Sequence, residues 1–203
     1  MKLHWSPKSP YVRKVMVCAH ELQLLPRIEL VRSVAAMLHP NTALMRDNPL
    51  SKIPTLVLDD GNTLFDSAVI CEYLNDLAGG SLYPAHGPQR WAALRWHAFG
   101  NGLLDALILW RNERERDESN RSEKLIAAFD TKAQAALVQL EKEARLLTQA
   151  PFSIGHITLM CALGYLDYRF AALAWRTGAP ALTAWYASLQ TRPAFAATEP
   201  VDG

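Results

Sequence analysis

Cysteine is scarce in this chain, and its three residues, Cys18, Cys71 and Cys161, lie far apart. That spacing excludes a disulfide framework and a cysteine-built zinc site. Each falls in an apolar helical stretch, where a free thiol behaves as a small buried hydrophobe. An excess of either charge is also missing. With 21 basic and 20 acidic residues the formal net charge is +1, which gives no electrostatic footprint for nucleic acid or an anionic membrane. The most charged run, residues 111–124, alternates in sign and reads as a solvated helix end and loop. No apolar run reaches the roughly 18 residues of a membrane span. The N-terminal stretch MKLHWSPKSP lacks the apolar core of a secretion signal. These absences leave a cytoplasmic enzyme or binding protein as the simplest class, with no metal and no membrane or nucleic-acid partner.

Apolar residues make up half of the 203 positions, enough to build one large core or two small ones. Residues 2–5 read as a strand leading into the turn Ser6-Pro7-Lys8-Ser9. Pro10 then stands where a helix places its first residue, with Ser9 as the cap. Residues 11–24 carry helical spacing and residues 27–31 alternate weakly as a second strand. Residues 33–47 read as a loop with a short helix after Asn41. Two strands at 55–58 and 62–65 flank the hairpin signal Asp59-Asp60-Gly61. A helix over 66–78 follows, with Val69, Ile70, Tyr73, Leu74 and Leu77 on one side, and Gly79-Gly80 stops it. The order is that of a mixed sheet covered by helices.

Residues 79–87 read as a linker between a domain over 1–78 and a second over 88–203. No convincing strand occurs beyond it. Residues 90–114, 123–147, 154–174 and 181–190 all have helical periodicity. Leu125, Phe129, Ala133, Ala136, Leu140 and Leu147 form one stripe. The stretch 154–166 is apolar nearly all round, so it reads as the central helix of an all-α bundle.

Three features of the first half bear on chemistry. A proline drives the residue before it into extended backbone. A cis Pro54 would turn the N–H and C=O of Ile53 outward, to pair with an extended peptide as an added strand does; an ordinary proline opening an edge strand is the plainer alternative. Asp66 and Ser67 stand at a helix start, where free N–H groups and the dipole favour a carboxylate. Asp66 could also accept from an ammonium, so the pair suits a zwitterionic amino-acid terminus. Plain helix capping explains the same two residues. Ser9 stands at another helix start and could donate to the sulfur of a bound thiol, which a hydrogen bond to the anion would make more acidic. Here too a simple cap is the alternative.

In combination, these motifs resemble the glutathione S-transferase family along nearly the whole chain. SPKSPYVRKV is similar to its serine-type N-terminal motif, and NPLSKIPTL and LFDSAVICEYL resemble its two glutathione motifs. FSIGHITLMCALGYLDYR and TRPAF resemble its buried helix and closing segment. The resemblance implies a thioredoxin-like N-terminal domain (βαβ then ββα) followed by an all-α helical bundle. It implies glutathione as cosubstrate, a small hydrophobic electrophile, a homodimer and a role in detoxification. By the same resemblance Ser9 is the activating hydroxyl, with Ser6 as the weaker alternative. Ile53, with Pro54 behind it, pairs with the cysteinyl unit. Asp66 and Ser67 hold the γ-glutamyl end, and Lys52, with His39 as the second candidate, meets the glycyl carboxylate. Isomerisation, peroxide reduction and dehalogenation begin from the same thiolate, and a non-catalytic ligand-binding module is the alternative to all of them.

Two departures from the family stand out. Ser51 occupies a position that is often Gly. His156 replaces the usual Asp of the capping box that begins with Ser153, which predicts a less tightly capped helix, as Gly155 in the first turn also does. Trp5, Lys8, Phe99, Leu103, Leu107 and Trp110 are candidate walls for the electrophile, with plain core packing as the alternative reading.

Overall fold

The computed structural model describes residues 1–202, which form two compact units. The first comprises Met1–Ala85 and the segment from Arg192 onward; the second is His86–Thr191.

The first unit is built on a four-stranded sheet. Strand β1 is Lys2–Trp5, helix α1 Pro10–Glu21, strand β2 Glu29–Arg32, strand β3 Thr55–Val57, strand β4 Thr63–Leu64 and helix α2 Ser67–Leu77. The sheet order is β2-β1-β3-β4. β1 runs parallel to β2 and antiparallel to β3, and β3 runs antiparallel to β4. Helix α1 starts as the sequence dictates: Pro10 sits at its first turn and the Ser9 hydroxyl accepts the Val12 N–H at 3.3 Å. It buries Val12, Val15, Cys18 and Ala19. Helix α2 starts on Asp66, whose carboxylate accepts the Ala68 N–H at 2.7 Å, and ends at Gly79 with φ +60°, a left-handed position that suits glycine. Its buried face is Ser67, Ile70, Cys71, Leu74 and Asn75. Val69, expected on that face, is 47% exposed; the apolar stripe is shifted by about one position because Asn75 turns inward to accept the Leu82 N–H at 2.9 Å.

The closing segment TRPAF belongs to this unit from Arg192 on, although the sequence reading assigned all of 88–203 to the helical domain. The short helix Pro193–Ala196 returns to α1. Arg192 makes two hydrogen bonds to the Glu21 carboxylate, at 2.6 and 3.1 Å. Arg13, itself buried, donates to the Phe195 carbonyl at 3.3 Å.

The second unit is helical: α3 Gly87–Arg114, α4 Glu123–Gln149, α5 Ile154–Arg169 and α6 Pro180–Gln190. Every residue of α5 from Ile154 to Leu166 is buried, as its all-round apolarity predicts. The helix ends at Arg169, and two 3-10 turns, Ala171–Leu173 and Trp175–Gly178, follow where the periodicity suggested continued helix. Leu125, placed by periodicity on the α4 stripe, is 47% exposed; the buried side begins only at Ala133.

Helices α3 and α5 approach closely through two glycines. A Cβ on Gly155 would lie 2.8 Å from the Ala93 carbonyl oxygen, and one on Gly100 would lie 2.8 Å from the Thr158 methyl and 3.1 Å from its carbonyl carbon. Gly155 is thus required by packing, and its propensity cost is offset there. At the α5 N-terminus, Ser153 makes no side-chain bond to a helix N–H, in keeping with the expected loose cap. Its hydroxyl instead meets His156 Nδ1 at 3.0 Å, and His156 Nε2 donates to the Leu147 carbonyl at 3.0 Å.

Glu143 joins α4 to α3. It accepts from the Trp96 indole at 2.7 Å and from Gln139 at 2.6 Å, and pairs with Arg95. No single helix among the described residues is long and apolar enough to cross a membrane.

Candidate functional site

The register of the sheet decides which residues meet. β1 and β3 pair Lys2 with Val57, Leu3 with Leu56 and His4 with Thr55. Pro54 and Ile53 precede Thr55, at the end of the sheet where β1 runs out through Trp5 into Ser6. β3 and β4 pair Val57 with Thr63 and Leu56 with Leu64, so β4 runs towards that same end and leads there into Asp66 and Ser67. The parallel pair β1–β2 ends with Trp5 opposite Arg32, so the loop that starts at Ser33 leaves from the same edge. Ser6, Ser9, Ile53, Pro54, Asp66 and Ser67 therefore gather at one end of adjacent strands. Edges of this kind, where strands give way to helix N-termini, are ready ligand sites.

Ser9 is half-buried. As a cap it accepts from Val12, which leaves its own proton free to donate. Ser6 is also half-buried, but its hydroxyl accepts only a 3.5 Å contact from the Lys8 N–H in the turn. Of the two, Ser9 alone has the positive end of a helix dipole behind it.

The Ile53–Pro54 peptide is cis. Neither the N–H nor the C=O of Ile53 is paired among the described residues, so its backbone is open to an added strand. The residue before it is held firmly. The Lys52 carbonyl accepts from Asn48 Nδ2 at 3.2 Å and from the Thr55 hydroxyl at 2.8 Å, and Asn48 also donates to Thr55 Oγ1 at 2.9 Å. Asn48 and Thr55 are fully buried.

Asp66 is exposed and Ser67 buried. One Asp66 oxygen is occupied by the Ala68 N–H, and a carboxylate has acceptor capacity left for an ammonium. The capping reading and the ligand reading are thus compatible in the same residue. Behind them the Tyr83 hydroxyl donates to the Ala68 carbonyl at 3.3 Å.

Lys52 and His39 are both exposed and lie on the stretch between β2 and β3. Asn41 joins them: its N–H donates to the Ser51 hydroxyl at 2.8 Å. Ser51 has φ +51°, which explains why glycine suits the position; here the serine hydroxyl supplies an anchor that glycine cannot. Sequence reasoning missed this network, together with a second one in which His4 bridges Ser33 and Asp47 at 2.8 Å each. Its one signal in the sequence is a polar His4 between the apolar Leu3 and Trp5.

Of the candidate electrophile walls, Leu103, Leu107 and Trp110 are buried inside the helical unit, with Trp110 packed on Phe170 at 4.7 Å between ring centres. For these three the core reading holds. Among the described residues, no cluster of His, Cys, Asp and Glu could hold a metal.

The comparisons with known proteins bear on the family and the fold. The family model described as glutathione S-transferase, N-terminal domain, matches residues 8–77. The model for the C-terminal domain matches residues 123–188. A glutathione transferase family member from Pseudomonas fluorescens Pf-5, solved with bound glutathione, is 42% identical with TM-score 0.96, covering 99% of each chain. The family member from that strain is also solved with bound S-(propanoic acid)-glutathione, at 40% identity and TM-score 0.91 over 100% of both chains. A glutathione S-transferase from Methylobacillus flagellatus KT with glutathione bound is 33% identical with TM-score 0.89, covering 98% of this chain and 99% of that one. The GST-like protein YibF of Escherichia coli (strain K12) is 28% identical over 98% of both chains. A thioredoxin-like sheet followed by a helical unit, matched by both family models, places this chain in the glutathione S-transferase family.

Proposed function

We propose that the protein is a glutathione transferase in which the sheet edge binds glutathione and Ser9 stabilises its thiolate. The observation that carries this reading is the convergence of three groups on one edge: the Ser9 hydroxyl at the start of α1, the open backbone of Ile53, and the Asp66–Ser67 start of α2. Relatives that share a third or more of the sequence are solved with glutathione or a glutathione conjugate.

In this reading the Ile53 backbone pairs with the cysteinyl unit. Asp66 takes the γ-glutamyl ammonium, and Ser67 with the helix N-terminus takes its carboxylate. Lys52, with His39 as the second candidate, takes the glycyl carboxylate. The thiol then lies beside Ser9. A free thiol titrates at about 8.5; the donated hydrogen bond and the helix end favour the anion and lower that value. The proton leaves to solvent, the thiolate attacks an electrophilic carbon, and a carbon–sulfur bond forms as the leaving group departs. Proximity and thiolate stabilisation account for the acceleration.

The test is retention on immobilised glutathione, together with turnover of a generic aryl halide. Retention with turnover supports the reading. Retention without turnover of a broad electrophile panel favours a ligand-binding module, and failure to bind glutathione overturns both. The family reading also carries a homodimer, which light scattering tests.

A further inference from the structure

The excursion from Ser33 to Asp47 has little apolar anchoring. Residues 34–40 are all exposed, and Leu44 is its one fully buried apolar side chain. What fixes it is polar, and the central element is His4 on β1. His4 is 8% exposed and Ser33 6%. Its Nδ1 lies 2.8 Å from the Ser33 hydroxyl, at the first residue of the excursion, and its Nε2 lies 2.8 Å from Asp47 Oδ2, at the last. A carboxylate can only accept, so Nε2 carries the proton. Nδ1 is then free to accept the single Ser33 hydroxyl proton, and the Val31 carbonyl, 3.3 Å from the same oxygen, is the competing acceptor. One imidazole on the central strand thus closes the base of the loop.

Inside the loop, Asn41 continues the clamp. Its side chain accepts from the Ala43 and Leu44 N–H groups at 3.0 and 3.1 Å and donates to the Val34 carbonyl at 3.0 Å. Its N–H reaches Ser51, next to Lys52. His39 sits within this closed frame and Lys52 at its far end. An arrangement of Ser, His and Asp suggests nucleophilic catalysis at first sight. Ser33 is 6% exposed, which removes its hydroxyl from any substrate, so positioning is the role that the geometry supports.

We propose that His4, acting through Ser33 and Asp47, is a positioning residue that sets the 33–52 segment to read the glycyl end of glutathione. The inference rests on the glutathione reading above and assigns to that site a determinant of peptide length. Loss of the clamp leaves the Ile53 and Asp66–Ser67 contacts in place and the Lys52 carbonyl tied to Asn48 and Thr55, while the backbone that carries His39, and the Asn41–Ser51 link next to Lys52, lose the support of His4.

The experiment is calorimetric titration of the full chain with glutathione and with γ-glutamylcysteine, which lacks the glycine. The wild type is expected to prefer glutathione by about tenfold or more, the worth of one charge-assisted contact. Asp47→Ala and Ser33→Ala are expected to bring that ratio towards one, with affinity for γ-glutamylcysteine kept within about twofold. Asp47→Asn, which keeps an acceptor for His4 Nε2, is expected to retain the preference. Asp47 is partly exposed, so its substitution leaves the core intact, and thermal unfolding verifies the fold of each variant. Variants that keep the wild-type ratio, or that lose both peptides equally, overturn the inference while leaving the glutathione reading intact. A wild type that binds neither peptide overturns the glutathione reading, and the inference with it.

Discussion

His156 donates from Nε2 to the carbonyl oxygen of Leu147, 3.0 Å away. That carbonyl lies in the last turn of α4, four residues before Pro151, which has no N–H to give it. The imidazole of one helix start therefore completes the end of the previous helix. With His156 2% and Ser153 1% exposed, truncation leaves buried polar atoms without partners. His156→Ala is expected to destabilise the protein by about 1–3 kcal/mol, measured by urea denaturation. His156→Asp recreates an acceptor for the capping box and should cost less. Equal stability of wild type and His156→Ala would remove the role.

Gly155→Ala tests the α3–α5 approach. Helix propensity alone predicts a gain of about 1 kcal/mol. The new Cβ, however, would meet the Ala93 carbonyl oxygen and the Trp96 Cβ at 2.8 Å each, and backbone cannot swing aside. A net loss of about 1–3 kcal/mol is expected, read as a lower thermal midpoint. A higher midpoint would mean that the helices separate at little cost.

Ser9→Ala is expected to lower conjugation of an aryl halide by about tenfold or more at neutral pH, one pKa unit of thiolate stabilisation being a factor of ten in thiolate. Glutathione affinity should change little. The absorbance of the bound thiolate, followed against pH, should titrate higher in the variant. Unchanged activity would shift the role to Ser6 or the backbone.

Asp66→Asn separates capping from binding. Asparagine caps a helix as well as aspartate, so the unfolding midpoint should hold. The ammonium of glutathione loses its counter-charge, and Kd is expected to rise about tenfold or more. A fall in stability with unchanged affinity would make Asp66 a cap only.

Acid stability should depend on Glu143. Burial pushes its carboxyl up, but hydrogen bonds from Arg95, Gln139 and Trp96 outweigh burial and hold it below the usual glutamate range. Its folded value lies below the unfolded one, so the contribution is complete above the unfolded value of 4.5 and is lost as pH falls through the folded value. Glu143→Gln is expected to be less stable than wild type at neutral pH. The two denaturation curves should converge in acid. A constant gap across the range would refute the linkage.

Much of the first unit is legible because its signals are local. Ser9-Pro10, Asp59-Asp60-Gly61 and Asp66-Ser67 each fix a turn or helix start through adjacent residues, and the structure places all three as expected. The His4 clamp is illegible because its partners, Ser33 and Asp47, are distant in sequence and individually ordinary. Gly155 reads as a propensity cost until Ala93 is known to face it. His156 is recognised as an odd member of a capping box, but its partner is decided by Pro151 and the carbonyl left open behind it.

The return of the 192–202 segment to α1 makes the first unit discontinuous along the chain. A ribosome finishes the whole helical unit before it releases the residues that cover Arg13 and pair with Glu21. The sheet of the first unit can take shape early, while the flank of α1 that this segment covers stays bare until the segment has been made. A fragment cut at Ala85 would carry every proposed glutathione contact and still lack the cover that the 192–202 segment gives to Arg13 and Glu21.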